Sequence, residues 1–216
     1  MPYPSYETFW KGSGVELNIE ADRLYWVLQD PIQDSIFVMD KPNDPTSPRQ
    51  PGFLPGDSSD GTGPNLHPVA HLSLCEPPVS SVTVVPEELQ DAADSWEDEH
   101  NYYEDDDTQG PCRCCDRRAP PHDLKLKVVA SKEDGFVTIG DYVAAVHPWL
   151  MGLRHHFLHI NTSGRVPWPE DTRLMVSFPY PDDVSVENES TWVSSQRIRV
   201  VGRQIRAEER ALGKQA

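Results

Sequence analysis

The stretch GFVTIGDYVAAVHPWLMGLRHHFLHI, from Gly135 to Ile160, carries the clearest secondary-structure signal in this chain of 216 residues. Thr138, followed three residues later by Asp141, is a capping-box pattern that begins a helix and places negative charge at its N-terminus. The apolar residues then recur at alternating spacings of four and three, which puts them on one helix face. The pattern predicts an amphipathic core helix from Thr138 to about Phe157, with a buried stripe of Ile139, Val143, Val146, Leu150, Leu153 and Phe157.

Pro148 interrupts this helical pattern. A proline inside a helix has no N–H to donate, and it crowds the carbonyl four residues back, here that of Ala144. We therefore expect a kink or a break in the helix at Pro148.

The segments that flank the helix alternate between strand-like and turn-like composition. HDLKLKVVA, over residues 122–130, alternates polar and apolar side chains as a half-buried strand does. Other short runs are rich in β-branched and aromatic residues and end at prolines. We predict an α+β fold in which a small antiparallel sheet packs against the one main helix, with strands near residues 23–28, 34–39, 81–85, 124–130, 173–178 and 191–201.

Two segments lack the apolar residues needed to offset chain entropy, and we predict that both are disordered insertions. Residues 40–64 hold six prolines and four glycines, and residues 87–122 begin with an acidic run. The insertions would interrupt a single domain over residues 17–205. An extended segment over 1–16 would precede this domain, and a basic tail over 206–216 would end it as a solvated helix.

The formal net charge of −16 is concentrated in one part of the chain. Between Glu87 and Asp107 there are eleven Asp and Glu residues and no Lys or Arg, which leaves a net charge of −5 elsewhere. The run is interpreted as a solvated insertion, as a docking tail for basic partners, or as a segment lying across the basic C-terminus. No large basic patch exists to neutralise phosphates, so we expect no binding to nucleic acid.

The sequence shows no signal for secretion or membrane insertion. The N-terminus lacks an apolar signal-peptide core, and no run approaches the ~18 apolar residues of a membrane helix. The four cysteines, three of them clustered, do not have the pattern of a disulfide framework. We expect a soluble intracellular protein, cytoplasmic or nuclear, with no membrane association.

A cysteine cluster lies in GPCRCCDRRAPPH, over residues 110–122. The spacing of Cys112 and Cys115 allows two thiolates to bind one Zn²⁺, and His122 and Cys75 are candidates to complete the site. An exposed loop with incidental thiols is the competing interpretation, because the usual second Cys pair is missing. A regulatory thiol is a third, because neighbouring arginines lower a thiol pKa. Further candidate ligands are Cys114, His67 and His71.

Four histidines lie on the predicted helix or near its end: His147, His155, His156 and His159. His155 and His159 have a spacing that can bind a metal, but the H-E-x-x-H pattern is missing. The nucleophile-elbow, P-loop and dinucleotide-binding motifs are missing as well. We interpret the histidines as a polar helix surface that titrates near neutral pH. An unrecognised enzyme site near them and Trp149 is the alternative.

Three segments together resemble a domain family of unknown function that is widespread in fungi, especially in mushroom-forming species. They are RLYWVLQDP, a tryptophan-containing strand; HLSLCEPPVSSVTVV, a strand with a Pro-Pro pair; and DGFVTIGDYVAAVHPWL, a helix with V-T-x-x-D at its start. The resemblance covers residues 20–40 and 66–160. The acidic, cysteine-containing insertion and the basic tail depart from the family pattern. The family implies no activity, cofactor or catalytic residue.

The lack of a catalytic motif favours a non-enzymatic binding or interaction module with an unknown protein partner. A zinc-binding protein that uses Cys112 and Cys115 is one alternative, and an enzyme with an unrecognised site is another. The sequence leaves the oligomeric state open, and it implies no cofactor unless the cysteines bind zinc.

Overall fold

A computed structural model describes residues 3–9, 14–29, 31–54, 65–100, 120–160 and 167–213. Within these ranges the chain has an α+β fold, as predicted. Its helices are α1 (Tyr6–Phe9), α2 (Glu87–His100), α3 (Ile139–Ile160) and α4 (Glu189–Gly213). Its strands are β1 (Glu16–Leu17), β2 (Leu24–Trp26), β3 (Ile36–Met39), β4 (Arg49–Pro51), β5 (Cys75–Glu76), β6 (Ser81–Val84), β7 (Leu126–Val129), β8 (Leu174–Tyr180) and β9 (Asp183–Asn188).

α3 begins with the predicted capping box. The Thr138 N–H donates to Asp141 Oδ2 at 2.9 Å, and the Asp141 N–H donates to Thr138 Oγ1 at 3.0 Å. The predicted apolar stripe is buried, although Leu153 is only half-buried. α3 continues through Pro148 without the break that we considered. Both Pro148 and Ala144 lie on the exposed side, where water can bond the carbonyl that loses its helical donor.

The strands form four small antiparallel sheets rather than the single sheet that we predicted. β2, β3 and β4 make a three-stranded sheet in that order, while β1 pairs with β5, β6 with β7, and β8 with β9. An antiparallel bridge from Val27 to Met175 links β2 to β8, and a parallel bridge from Val85 to Asp183 links the end of β6 to β9. Prolines next to the strands limit the ladders, because proline donates no backbone hydrogen bond.

β2 lies inside the core, and the side chains on both of its faces are buried. Leu24 and Trp26 belong to the main core together with the apolar face of α3. Tyr25 and Val27 point the other way, into a second cluster that packs against Trp192 of α4. The tryptophan-containing strand therefore lies between α3 and α4.

Residues 40–54, the first part of a predicted disordered insertion, are ordered, so that prediction is wrong for them. Asn43 is buried and donates from Nδ2 to Asp22 Oδ2 at 2.9 Å, with a φ of 55° that asparagine tolerates. The Gly52 N–H then donates to the Ile36 carbonyl at 2.8 Å, next to the β3–β4 pairing. Polar turn residues that bond to the core thus order a segment with few apolar residues. Residues 55–64 lie outside the described residues.

The start of the second predicted insertion is also ordered, because residues 87–100 form α2. Leu89 is fully buried and Ala93, one turn later, is 6% exposed, so α2 docks on the core. The Val186 N–H donates to Glu88 Oε2 at 2.9 Å and fixes α2 to β9. Acidic residues in the first turn are stabilised by the helix dipole. The prediction of disorder over 87–122 is wrong for α2, and residues 101–119 lie outside the described residues.

The predicted strand over 191–201 is wrong, because these residues lie within α4. Asn188 caps the helix by accepting a hydrogen bond from the Thr191 N–H at 3.0 Å. Trp192 and Gln196, four residues apart, are buried, and Trp192 Nε1 donates to the Val176 carbonyl of β8 at 3.2 Å. Burial of this face outweighs the strand propensity of the β-branched residues around it. α4 continues to Gly213, which agrees with a helical basic tail.

The N-terminal segment, which we predicted to be extended over residues 1–16, contains the single helical turn α1. The Thr83 N–H of β6 donates to Glu7 Oε1 of α1 at 2.9 Å. This hydrogen bond fixes α1 beside the strand that leads into α2.

Candidate functional site

The structure describes only two of the four predicted zinc ligands, His122 and Cys75. Cys112, Cys114 and Cys115 lie outside the described residues, and His122 is exposed shortly before β7. Cys75 is fully buried in β5; burial raises the pKa of its thiol to about 12, with a smaller contribution from Asp182. An uncharged thiol in apolar surroundings packs as a small hydrophobic group. Zinc binding by the Cys112–Cys115 pair stays a prediction.

His147 is only 2% exposed, so its interpretation as part of a polar helix surface is wrong. Its ring stacks on Trp26 with the centroids 6.2 Å apart, and its Nδ1 accepts a hydrogen bond from Trp26 Nε1 at 3.0 Å. His147 follows Val143 by one helical turn and so extends the buried stripe of α3. This histidine is a packing residue of the core.

His155 and His159 share an exposed face of α3, as their spacing predicts, with ring centroids 4.1 Å apart. His159 Nδ1 lies 2.7 Å from the His155 carbonyl oxygen, and His155 Nδ1 lies 3.8 Å from Glu170 Oε1. Burial, and then the charges of His155 and His159, lower the pKa of His156. Among the described residues, no three His, Cys, Asp or Glu side chains are arranged to hold a metal ion.

An open groove of about 760 Å³ lies between α1, the first turns of α2 and the β8–β9 turn. Its described lining includes carboxylates and aromatic rings but no Lys, Arg or His. We call it the acidic groove, and its characteristic side chains are those of Glu87, Asp91, Asp182, Asp183, Tyr6, Phe9 and Tyr180.

Backbone hydrogen bonds bring the walls of the acidic groove together. The Val85 N–H donates to the Asp182 carbonyl at 2.8 Å, and the Val184 N–H donates to the Val85 carbonyl at 3.1 Å. These bonds hold the β8–β9 turn beside the point where β6 leads into α2. Since α2 begins two residues after Val85, its first turns present Glu87 and Asp91 to the same groove.

Asp183 is the carboxylate of this groove with the most perturbed ionisation. Burial raises its pKa to about 6, and the charges of Glu87, Asp182 and Asp91 act in the same direction. Arg199 of α4 opposes them without reversing the shift. Asp183 Oδ1 is buried and has no hydrogen-bond partner among the described residues. Among the described residues, the carboxylates of the groove therefore repel one another more than the nearby Arg199 compensates.

The charges of the same aspartates act on the pKa values of two tyrosines. Burial, and then the charge of Asp182 and a hydrogen bond with it, raise the pKa of Tyr6 above its ordinary value. Tyr142 of α3 is fully buried; burial, and then the charges of Asp183 and Asp182, raise its pKa as well. The Tyr142 hydroxyl has no hydrogen-bond partner among the described residues. A buried hydroxyl in this state costs about 1–3 kcal/mol, so the fold maintains it against a penalty.

Glu88 lies next to the groove, on the face of α2 that contacts β9. Burial raises its pKa from 4.5 to about 7; the hydrogen bond from Val186 opposes this, and Glu187, Asp183 and Asp91 add to it. The folded state therefore keeps a proton that the unfolded chain releases above its ordinary pKa of 4.5. Protonation of Glu88 therefore makes its full contribution to the free energy of unfolding below pH 4.5. That contribution is lost as the pH rises from 4.5 to about 7.

We expect Glu88→Gln to raise the free energy of unfolding by about 2 kcal/mol at about pH 8 and to change it much less at about pH 5. The shift in pKa corresponds to about 3 kcal/mol as an upper bound, and glutamine keeps an acceptor for the Val186 N–H. Urea denaturation at both pH values measures the effect. Glu97→Gln, on an exposed position of α2, is the matched control and should change stability by less than ~0.5 kcal/mol. A Glu88→Gln variant less stable than the wild type at the higher pH would contradict the assignment.

The amino-acid sequence contains no local signal for the acidic groove. The turn PYPDD, over residues 179–183, and EELQD, over residues 87–91, are acidic, but their sequences contain no sign that they meet. The apolar spacing of Leu89 and Ala93 after Pro86 was a usable signal for α2.

Comparisons with protein-family models, with curated proteins and with solved structures find no match to this chain. The resemblance to the fungal domain family therefore stays a prediction. In the part of the chain that the structure describes, no helix is both long enough and apolar enough to cross a membrane.

Proposed function

We propose that this chain is a non-enzymatic binding module and that a segment of a protein partner docks in the acidic groove. The observation that carries the proposal is an open groove of about 760 Å³ bordered by aromatic rings. Tyr180 at this groove is 63% exposed. Tyrosine offers a large contact area at a small cost in side-chain entropy, which is why binding surfaces are enriched in it.

The chemistry of the lining supports binding over catalysis. The described lining contains no histidine, cysteine, lysine or serine, so it has no nucleophile–base pair of the Ser–His or Cys–His type. Its carboxylates would repel phosphate groups, which favours a protein partner over a nucleic acid. We also propose that the protein acts inside the cell, in the cytoplasm or the nucleus, because the spacing of its four cysteines is not that of a disulfide framework.

Affinity capture with a blocked groove tests the proposed function. Asp91→Trp places a large side chain in the groove from an exposed position of α2, and Asp98→Trp makes the same change at an exposed position outside the lining. From extracts of the source cell, the wild type and Asp98→Trp should capture the same partner. Asp91→Trp should reduce that capture by about tenfold, as steric loss of an interface core does.

Circular dichroism should give the same helix content for all three proteins. If the folded Asp91→Trp variant captures the partner as well as the wild type does, the partner does not dock in the groove, and the proposal fails.

A further inference from the structure

We infer that His155 and His159, near the C-terminal end of α3, bind one divalent ion of a late first-row metal, such as Ni²⁺, Cu²⁺ or Zn²⁺, through their Nε2 atoms. The inference is carried by the separation of the two rings and by the oxygen atom that each Nδ1 faces. Neither histidine belongs to the described lining of the acidic groove, so this site is independent of the proposed function.

The two rings are close enough to bind one ion together. The histidines are four residues apart in α3, which places their side chains on the same face of the helix. The ring centroids lie 4.1 Å apart, and the ring planes are tilted by 41°. Two metal–nitrogen bonds of about 2.0–2.1 Å at a tetrahedral angle place the bonded nitrogens about 3.4 Å apart. The observed separation of the rings is compatible with this distance.

The hydrogen bond of His159 determines which of its nitrogens is free. His159 Nδ1 lies 2.7 Å from the carbonyl oxygen of His155. A carbonyl oxygen only accepts, so the neutral ring has its proton on Nδ1 and its lone pair on Nε2. A metal-binding histidine almost always donates its other ring N–H to a carbonyl or a carboxylate, because that bond orients the ring. His159 therefore already has the tautomer and the second-ring contact of a metal ligand.

Glu170 acts on His155 in the same sense. Its Oε1 lies 3.8 Å from His155 Nδ1, which is longer than a hydrogen bond but close enough for the carboxylate to favour a proton on that nitrogen. Arg154 holds Glu170 beside α3, because Arg154 Nη2 donates to the Glu170 carbonyl at 2.8 Å and Nη1 lies 3.5 Å from Glu170 Oε2. A proton on Nδ1 leaves His155 Nε2 free for the metal, so Glu170 is a positioning residue.

The donor atoms determine the class of metal. Neutral imidazole nitrogens suit Zn²⁺, Ni²⁺ and Cu²⁺, whereas Ca²⁺ and Mg²⁺ need several oxygen ligands. Over the described ranges, no three His, Cys, Asp or Glu side chains form a metal-binding group, so two histidines and water make up the coordination. The His155 side chain is 69% exposed, and the ion can reach it from solvent. The site is therefore an open surface site rather than a closed structural one.

Titration of the full chain with Ni²⁺, followed by isothermal calorimetry, tests the inference. Cys112, Cys114 and Cys115 are first replaced by serine, so that the predicted cysteine site does not contribute. This Cys→Ser protein should bind one Ni²⁺ ion per chain. In the same background, His155→Gln and His159→Gln should each weaken binding at least about tenfold, because each removes one of two linked ligands.

His156→Gln is the matched control, because His156 adjoins His155 but lies about 100° around the helix from it. This substitution should change the Ni²⁺ affinity less than ~twofold. Glu170→Gln should weaken binding by about three- to tenfold, less than loss of a ligand, because Glu170 only orients His155 and is 74% exposed.

Thermal unfolding gives a second readout. Ni²⁺ should raise the melting temperature of the Cys→Ser protein, because an ion that binds only the folded state stabilises it. It should have little effect on the melting temperature of His155→Gln and His159→Gln. Both histidines are exposed, so circular dichroism without metal should give the same helix content for all these proteins.

Three outcomes would overturn the inference. If the Cys→Ser protein binds no Ni²⁺, the histidine pair is not a metal site. Equal losses in His156→Gln and in the two ligand variants would mean that the number of histidines matters and not their spacing. Unchanged affinity in His159→Gln would remove the ligand whose tautomer the structure determines. Capture of the partner through the acidic groove is measured separately, so the proposed function can stand when this inference fails.

Discussion

Replacing Trp26 by alanine is expected to lower the free energy of unfolding by about 4 kcal/mol, the largest effect of any single substitution considered for this protein. Trp26 is fully buried at the centre of the main core. Its ring lies 6.4 Å from that of Tyr142 and 5.9 Å from that of Phe178, in edge-to-face contacts. Alanine would remove these contacts and leave a cavity beside the rings of Tyr142 and Phe178.

Part of this stabilisation comes from the hydrogen bond between Trp26 and His147. Trp26→Phe removes the donor and His147→Leu leaves the buried indole N–H without its acceptor, so each should cost about 2 kcal/mol. The double variant should be less destabilised than the sum of the two, with a coupling energy of about 1 kcal/mol. Urea denaturation of the four proteins measures this cycle. A Trp26→Ala cost below ~1 kcal/mol would show that this packing does not control stability.

Leu89→Ala is expected to lower the free energy of unfolding by about 3 kcal/mol, because it leaves a cavity where α2 meets the core. Leu89 is fully buried, although it lies in a segment whose composition predicts disorder. α2 also carries Glu87 and Asp91 into the acidic groove, so loosening the helix should weaken binding there too.

Thermal and urea unfolding measure the stability effect of Leu89→Ala. Leu72→Ala is the matched control, because Leu72 is 40% exposed and should cost less than ~1 kcal/mol. Equal and small effects of the two substitutions would mean that α2 is not docked in solution.

The parts of the fold that were predicted correctly depend on residues close together in the chain. Thr138 and Asp141 cap α3 across three residues, and the buried stripe follows the helical repeat. The strand β7 follows the alternation around Val128. Such signals depend on the backbone geometry of a few consecutive residues, so the spacing of residues in the sequence is enough to predict them.

The errors occurred where contacts between distant residues outweighed local composition. Residues 191–201 are rich in β-branched side chains, yet the cap at Asn188 and the burial of Trp192 against β8 make them helical. Residues 87–100 are acidic, yet the burial of Leu89 orders them. The isolation of His147 from water likewise depends on Trp26, which lies 121 residues earlier.

Local residue order was therefore enough to establish the α+β class, the central helix α3 and the identity of most strands. Only the tertiary structure placed Asp182 and Asp183 beside Glu87. That contact depends on the hydrogen bonds between Val85 and the β8–β9 turn. It also depends on the hydrogen bond from Val186 to Glu88, which are 98 residues apart in sequence. Clustering of like charges is unfavourable in isolation, so no local preference predicts it. The burial of the surrounding apolar side chains provides the free energy that holds these carboxylates together. The acidic groove is therefore a property of the folded chain.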